Sequence, residues 1–241
     1  MAFVRVLNTL LRDKTIGKRI VPIVPDESRT FGMEGMFRQF GIFSQVGQLY
    51  QPEDAREGIL KGMYLIRRGE EPKRAKNTPH VQLLGSGTIL REVIAAADLL
   101  AEHGVVADVW SAPSFTELRR EALAADRWNM LHPTEEPRRS YVETCLGERK
   151  GPVVAATDYM KAFADQIRPF VPGRYRVLGT DGYGRSDFRR KLRQFFEVDR
   201  HYVTVAALTA LADEGTVPRT TVAEAIAKYG IDPNKPNPTE V

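Results

Sequence analysis

The stretch Val81–Ala112, "VQLLGSGTILREVIAAADLLAEHGVVADVWSA", decides the predicted fold of this chain. A short apolar run is closed by Gly85 and Gly87, and a helical pattern of apolar residues then continues to Gly104. A second apolar run follows directly after that glycine. Strand, helix and strand in this order predict two parallel neighbours that are joined by a right-handed crossover.

The same alternation continues toward the C-terminus. Two further apolar runs, "GPVVAATD" and "YRVLGTDG", predict a third strand that ends on Asp158 and a fourth that begins at Tyr175. Helical patterns lie between these strands and after them, and Ser114 and Glu117 have the spacing of a capping box at the start of one helix. The sequence therefore predicts an α/β fold of three layers, with a mainly parallel sheet between helices. The proline-rich end, "DPNKPNPTEV", predicts a loose tail.

The part of the chain before residue 80 has a different pattern. It predicts helices over 2–11 and 52–67 and a short strand over 20–24. The segment "EEPKRAKNTPH" is charged and bounded by proline, which is typical of a linker. The predicted domain organisation is a helical and short-strand segment over 1–69, a linker over 70–80 and a C-terminal α/β domain over 81–241.

Composition excludes several classes of protein. The 241 residues include one cysteine, Cys145, which excludes an internal disulfide framework and a cysteine-rich zinc site. No apolar run approaches the ~20 residues that span a bilayer, and the start of the chain lacks the apolar stretch of a signal peptide, so we expect a cytoplasmic protein without a membrane partner. The net charge of +4 results from 35 basic and 31 acidic residues spread along the chain, which does not favour nucleic-acid binding.

Several short motifs have a structural explanation. Gly85 and Gly87 could shape a phosphate-binding turn, but a tight strand-to-helix turn is the favoured explanation because the other residues of a dinucleotide fingerprint or a P-loop are absent. The four histidines are scattered without metal-ligand spacing, so no zinc site is expected. Ser86 and Ser186 lie in no G-x-S-x-G elbow, and we interpret them as turn and cap residues.

Asp26 and Glu27 form the sharpest candidate pair. Both follow a predicted strand, and carboxylates at the carboxyl end of a strand in an α/β sheet point toward the crevice where ligands bind. This position suits proton transfer or cation binding. The alternative is structural, with Asp26 capping the following turn and Glu27 pairing with Arg29 or Arg38.

The loop "GTDGYGRSD", which spans 179–187, is a second candidate. Its glycines allow a sharp turn after a predicted strand, and it carries Asp181, Arg185 and Asp187. Asp187 can cap the helix that follows, whose basic face would be formed by Arg189, Arg190, Lys191 and Arg193. We interpret this loop as a structural or interface element, and we expect Asp181→Ala to impair solubility or dimerisation more than any chemistry.

Longer segments resemble a known family. They are "IGKRIVPIVPDESRTFGMEGMFRQFGIFS", "VQLLGSGTILREVIAAADLL", "SFTELRREAL", "DRWNMLHP", "TDYMKAFADQIRPFVPGRYRVLGTDGYGRSDFRRKLRQFFEVD" and "VAEAIAKYGID". Together they resemble the homodimeric, bacterial-type pyruvate dehydrogenase, the decarboxylating first component of the pyruvate dehydrogenase complex. The resemblance covers nearly the whole chain.

The resemblance implies a function and its cofactors. Members of the family decarboxylate pyruvate on thiamine diphosphate, which is held with magnesium between two subunits, and pass the acetyl group to a lipoyl arm of the dihydrolipoyl acetyltransferase core. It also implies a transketolase-like C-terminal domain over 81–241. By resemblance, Asp26 and Glu27 line the active centre at the subunit interface, within a segment of the pyrimidine-binding domain that also contains Arg29, Thr30, Phe31 and Met33.

The chain also departs from the family. Family members carry a diphosphate-binding domain and a longer pyrimidine-binding domain with an activating glutamate and an active-site histidine, and these motifs have no counterpart here. The departure predicts an internal deletion near Asp54 and a chain that is inactive in isolation. Two alternatives remain open. The first is a dimerisation or docking module, which binds another copy of itself, a full-length subunit or the acetyltransferase core. The second is an enzyme that is completed by a separately encoded chain.

Overall fold

The computed structural model of the protein describes residues 2–15, 53–71 and 77–241. The chain divides into two compact units, Met1–Gln51 and Pro52–Val241. In the first unit, helix α1 (Ala2–Arg12) confirms the predicted helix, and a turn follows it in which Asp13 Oδ1 accepts a hydrogen bond from the backbone N–H of Thr15 at 2.8 Å. The strand predicted over 20–24 lies outside the described residues.

The second unit alternates strands and helices along most of its length. The described elements are α2 (Glu53–Lys61), β1 (Tyr64–Arg67), β2 (His80–Gly85), α3 (Leu90–Glu102), β3 (Val106–Ser111), α4 (Phe115–Leu131), α5 (Tyr141–Leu146), β4 (Val153–Ala156), α6 (Lys161–Asp165), β5 (Tyr175–Leu178), α7 (Arg189–Phe195), α8 (Arg200–Asp213) and α9 (Arg219–Lys228). Short 3-10 turns, Gly87–Ile89 and Arg168–Phe170, precede α3 and follow α6.

The five strands form one mixed sheet in the order β1-β3-β2-β4-β5. All neighbours are parallel except β1, which pairs antiparallel with β3 at one edge. Strand β3 is buried along its whole length, which explains its continuous apolar pattern. The predicted mainly parallel α/β sheet is confirmed.

Side chains alternate between the two faces of this sheet and fill two separate cores. Val81 and Leu83 point into the core that the sheet forms with α3 and α8, where Leu208 is fully buried. Leu84 points the opposite way, into the core with α4, α5 and α6, where Leu118 is fully buried. Helices on both faces confirm the predicted three layers.

The helix predicted over 52–67 is wrong in its second half. Helix α2 ends at Lys61, because Gly62 adopts a φ of +98° and a Cβ there would lie 2.7 Å from the carbonyl oxygen of Ser114. The chain then enters strand β1, which pairs with β3. The apolar residues after Gly62 fit the repeat of a helix and also that of a strand. Only the pairing with β3 makes this segment a strand.

Two other expectations have clear outcomes. Ser114 caps α4 by accepting a hydrogen bond from the backbone N–H of Glu117 at 3.1 Å, as predicted. The C-terminal tail is not loose throughout, because Pro238 is buried and Lys235 Nζ donates to the carbonyl oxygen of Phe195 at 2.8 Å. Within the described ranges no helix combines the length and apolar character needed to cross a membrane.

Candidate functional site

The carboxyl ends of three parallel strands meet at one edge of the sheet. β2 leads into the turn Ser86–Thr88, β4 into Thr157–Tyr159 and β5 into Gly179–Asp181. The crossover from β2 goes to β3 on one side, whereas β4 lies on the other side of β2. This reversal of direction is where α/β sheets open a crevice for ligands, and the turns after β2, β4 and β5 meet there.

The glycine turn after β2 is filled by a carboxylate. Gly87 has a φ of +55°, and a Cβ on it would lie 2.8 Å from Asp158 Oδ1. Thr88 Oγ1 donates a hydrogen bond to Asp158 Oδ2 at 3.2 Å. Because this negative group occupies the space in front of the turn, the arrangement repels a phosphate. The structure therefore favours the predicted explanation, a tight turn between strand and helix.

The loop after β5 braces the neighbouring turn. Asp181 Oδ1 accepts a hydrogen bond from the backbone N–H of Lys161 at 2.8 Å, at the start of α6. The N-cap of that helix, Met160, makes no side-chain cap hydrogen bond, so Asp181 supplies the acceptor from a distant part of the chain. Thr180 adds two bonds, its backbone N–H to the carbonyl of Tyr159 at 2.9 Å and its Oγ1 to that of Asp158 at 2.6 Å.

The other polar residues of this loop have local roles. Arg185 lies over the ring of Phe195, with its Cζ 4.9 Å from the ring centroid. Asp187 Oδ1 accepts from the backbone N–H of Phe188 at 2.7 Å. The N-cap of α7 is Phe188 and makes no side-chain cap bond, so the prediction that Asp187 caps this helix is wrong by one residue.

The solvent side of this edge is aromatic and basic. Its exposed large side chains are Tyr159, Met160, Phe163, Tyr183 and Phe188, and Tyr183 keeps 80% of its surface accessible. The cations of α7 that face solvent are Arg189, Arg190 and Lys191, and none of them forms an ion pair with a described residue. Aromatic side chains, methionine and arginine are enriched in protein interfaces, so this edge is suited to binding another protein.

A buried glutamate anchors the segment behind this surface. Glu92 Oε1 lies 2.7 Å from Arg193 Nη1, and Glu92 Oε2 lies 2.9 Å from Arg200 Nε. Burial favours the neutral acid, but hydrogen bonds from Arg200 and the charge of Arg193 outweigh it, so the pKa of Glu92 is lowered. Arg193 therefore points inward and is not part of the predicted basic face.

Sequence reasoning missed Glu92. It stands in the helical stretch "TILREVIAAADLL", beside apolar residues that face the core, and its partners are 101 and 108 residues further along the chain. A charged residue on the inward face of a predicted helix is the signal that could have drawn attention to it. Nothing local indicates which cation pairs with it.

The acidic pair Asp26 and Glu27 lies outside the described residues, so its role stays a prediction. Within the described part of the chain, no group of three or more His, Cys, Asp and Glu side chains could hold a metal ion. Magnesium needs several oxygen ligands, and Asp158 and Asp181 are each engaged with protein donors. The described residues therefore provide no cluster of ligands for magnesium.

Two family models match this chain. Residues 1–71 match the pyruvate dehydrogenase E1 component middle domain, and residues 62–199 match the transketolase-like C-terminal domain. The chain belongs to the pyruvate dehydrogenase E1 family. The resemblance that the sequence motifs carried is thereby confirmed, and the transketolase-like domain accounts for the α/β unit described above.

Curated relatives agree with this assignment and also show a difference in length. The pyruvate dehydrogenase E1 component of Pseudomonas aeruginosa is 40% identical over 396 residues, which cover 100% of this chain and 44% of that protein. That of Cupriavidus necator is 41% identical with the same coverage. A solved transketolase from Campylobacter jejuni is 22% identical, with a TM-score of 0.41, and the match covers 63% of this chain and 19% of that one.

The alignment with the E1 relatives is much longer than this chain. It extends over 396 residues, 155 more than the 241 of this chain, although the whole chain is covered. At least 155 aligned positions therefore have no residue in this chain. The chain spans less than half the length of the relatives it matches.

Proposed function

We propose that this chain is a shortened E1 polypeptide that acts by associating with another subunit and does not decarboxylate pyruvate on its own. The observation that carries the proposal is the alignment, in which at least 155 internal positions have no residue in this chain. By family resemblance, the complete enzyme uses thiamine diphosphate and magnesium and transfers acetyl groups to lipoyl arms. Such chemistry depends on the cofactor and on the protein groups that tune it, and the described residues include no group of three or more His, Cys, Asp and Glu side chains that could hold its magnesium.

The carboxyl edge of the sheet is the surface that we assign to association. Its aromatic side chains are exposed, while Asp181 and Glu92 fix the backbone beneath them. A fixed surface loses little conformational freedom on binding, which favours affinity. The partner is a second copy of this chain or a complete E1 subunit, and by family resemblance the acetyltransferase core is a further partner.

Removing the aromatic surface should dissociate the complex. Each buried aromatic side chain contributes about 1.5–3 kcal/mol, so we expect Tyr183→Ser with Phe188→Ser to raise the dissociation constant at least ~10-fold. Sedimentation velocity at matched concentrations measures this change. The control is Leu123→Ser with Met130→Ser on α4, two exposed apolar residues away from this edge.

Asp181→Ala tests the hydrogen bond between Asp181 and the backbone of Lys161 in the same assay. It removes the acceptor for Lys161 N–H and should weaken both association and solubility, whereas Asp187→Ala breaks only a contact with the next residue and should weaken neither. Circular dichroism melting curves show whether each variant is folded. A monomeric unchanged chain, or an Asp181→Ala variant with unaltered association and solubility, would contradict this assignment.

A further inference from the structure

Three arginine side chains converge on one carboxylate, that of Asp213 at the end of α8. Arg176 Nη2 lies 2.8 Å and Arg174 Nη1 3.4 Å from Asp213 Oδ2, and Arg219 Nη2 lies 3.1 Å from Asp213 Oδ1. Arg174 precedes β5 and Arg176 lies within it, two residues apart, so both side chains project to the same side of the edge strand. Arg219 is the first residue of α9.

The charges of this cluster do not balance. Asp213 is ionised at neutral pH, because the hydrogen bond from Arg176 and the charges of the three arginines outweigh burial and lower its pKa. It neutralises one of three guanidinium groups, and none of the three forms an ion pair with any other carboxylate in the described part of the chain. Two positive charges remain without a counter-ion.

The guanidinium of Arg176 is also incompletely satisfied. Its Nε is buried and donates to no partner in the described residues. The rest of the side chain is accessible, since Arg176 keeps 40% of its side chain exposed, so an acceptor that enters the cluster can approach this donor. Its neighbours are open to solvent, since Arg174 retains 44% and Arg219 78% of its side-chain exposure.

The start of α9 adds to the positive potential. Its N-cap is Pro218, which makes no side-chain cap hydrogen bond to the first turn of this ten-residue helix. The uncapped end of a helix carries a partial positive charge. Arg219, the first residue of this helix, therefore brings its guanidinium and a region of positive potential to the cluster.

We propose that Arg174, Arg176 and Arg219 form a binding site for a phosphate group, either the free ion or the phosphate of a small metabolite. Two unbalanced charges suit a phosphate dianion, and guanidinium forks present paired donors that match its oxygens. In the free protein Asp213 serves as the internal counter-ion. This site lies on different residues from the carboxyl edge of the sheet and is independent of the function proposed above.

Calorimetric titration in buffer without phosphate or sulfate tests the site. Inorganic phosphate should bind saturably, and Arg174→Gln with Arg219→Gln should weaken binding at least ~10-fold, the effect of losing one charge-assisted hydrogen bond or more. The control is Arg119→Gln with Arg127→Gln on α4, which removes the same charge from two exposed arginines that form no ion pair with a described residue. A parallel titration with glycerol 3-phosphate identifies the source, because tighter binding of the ester indicates a metabolite and equal binding indicates the free ion.

Asp213→Asn separates an anion site from an ordinary ion-pair network. Removing the internal counter-ion should strengthen phosphate binding several-fold, whereas a network that serves only the fold would gain no affinity and would melt at a lower temperature. The proposal is overturned if neither the unchanged chain nor Asp213→Asn binds phosphate saturably. It is also overturned if the double arginine variant binds as tightly as the control variant.

Discussion

Glu92→Ala lowers the free energy of unfolding by about 3 kcal/mol, because it leaves Arg193 and Arg200 without the carboxylate that holds them. The expected loss is at the lower end of the range for a broken buried pair, since Arg200 keeps 46% of its side chain exposed. Urea unfolding followed by circular dichroism measures it. The control is Glu102→Ala, which removes an exposed partner of Lys228 and should cost much less. Equal losses in the two variants would show that the Glu92 cluster does not anchor the fold.

The same residue makes stability depend on pH. The pKa of Glu92 in the folded chain is lower than its ordinary value of 4.5, so the carboxylate stabilises the fold fully above that ordinary value. The contribution decreases as the pH falls through the lowered pKa. The difference in stability between the unchanged chain and Glu92→Ala should therefore be constant near neutral pH and shrink in acid. A difference that grows on acidification would contradict this assignment.

Gly151→Ala should destabilise the fold by about 3 kcal/mol or more. Gly151 has a φ of +82°, and a Cβ on it would lie 1.7 Å from the carbonyl oxygen of His80. Because that contact is with the backbone at the start of β2, no side-chain rotation relieves it. The chain at Gly151, just before β4, must therefore move away from β2.

A second glycine provides the control for this substitution. Gly173 has a similar φ of +77° but has no atom within 4 Å of the added Cβ, so Gly173→Ala should cost only the conformational strain of about 1–2 kcal/mol. Thermal unfolding of the two variants compares them directly. If they lose the same stability, the close approach of Gly151 to β2 has no energetic role.

Much of this fold could be predicted from local patterns. The runs that became β2, β3 and β4 are buried on both faces and therefore appear as continuous apolar segments between glycine turns. The cap of α4 was also predictable, because Ser114 and Glu117 are close in sequence. Strand β1 was not, since Tyr64–Arg67 becomes a strand only by pairing with β3.

The chemistry of the candidate surfaces depends on residues that are distant in sequence. Asp158 fills the turn at Gly87, 71 residues earlier, and Asp181 caps a helix that begins 20 residues before it. The arginines around Asp213 come from two separate parts of the chain, the start of β5 and the start of α9. Burial and charge balance at these positions depend on the tertiary fold, so one sequence without its fold does not indicate them.

We expect that this chain does not form a thiamine diphosphate site on its own, and calorimetric titration with thiamine diphosphate and magnesium is the most direct test. The same titration is also performed on the double variant Arg174→Gln with Arg219→Gln. Binding that is lost in this variant comes from the arginine cluster holding the diphosphate group, whereas binding that persists comes from a separate cofactor site. We expect no saturable binding to the double variant. Saturable micromolar binding that persists in the double variant, followed by turnover of pyruvate, would contradict it.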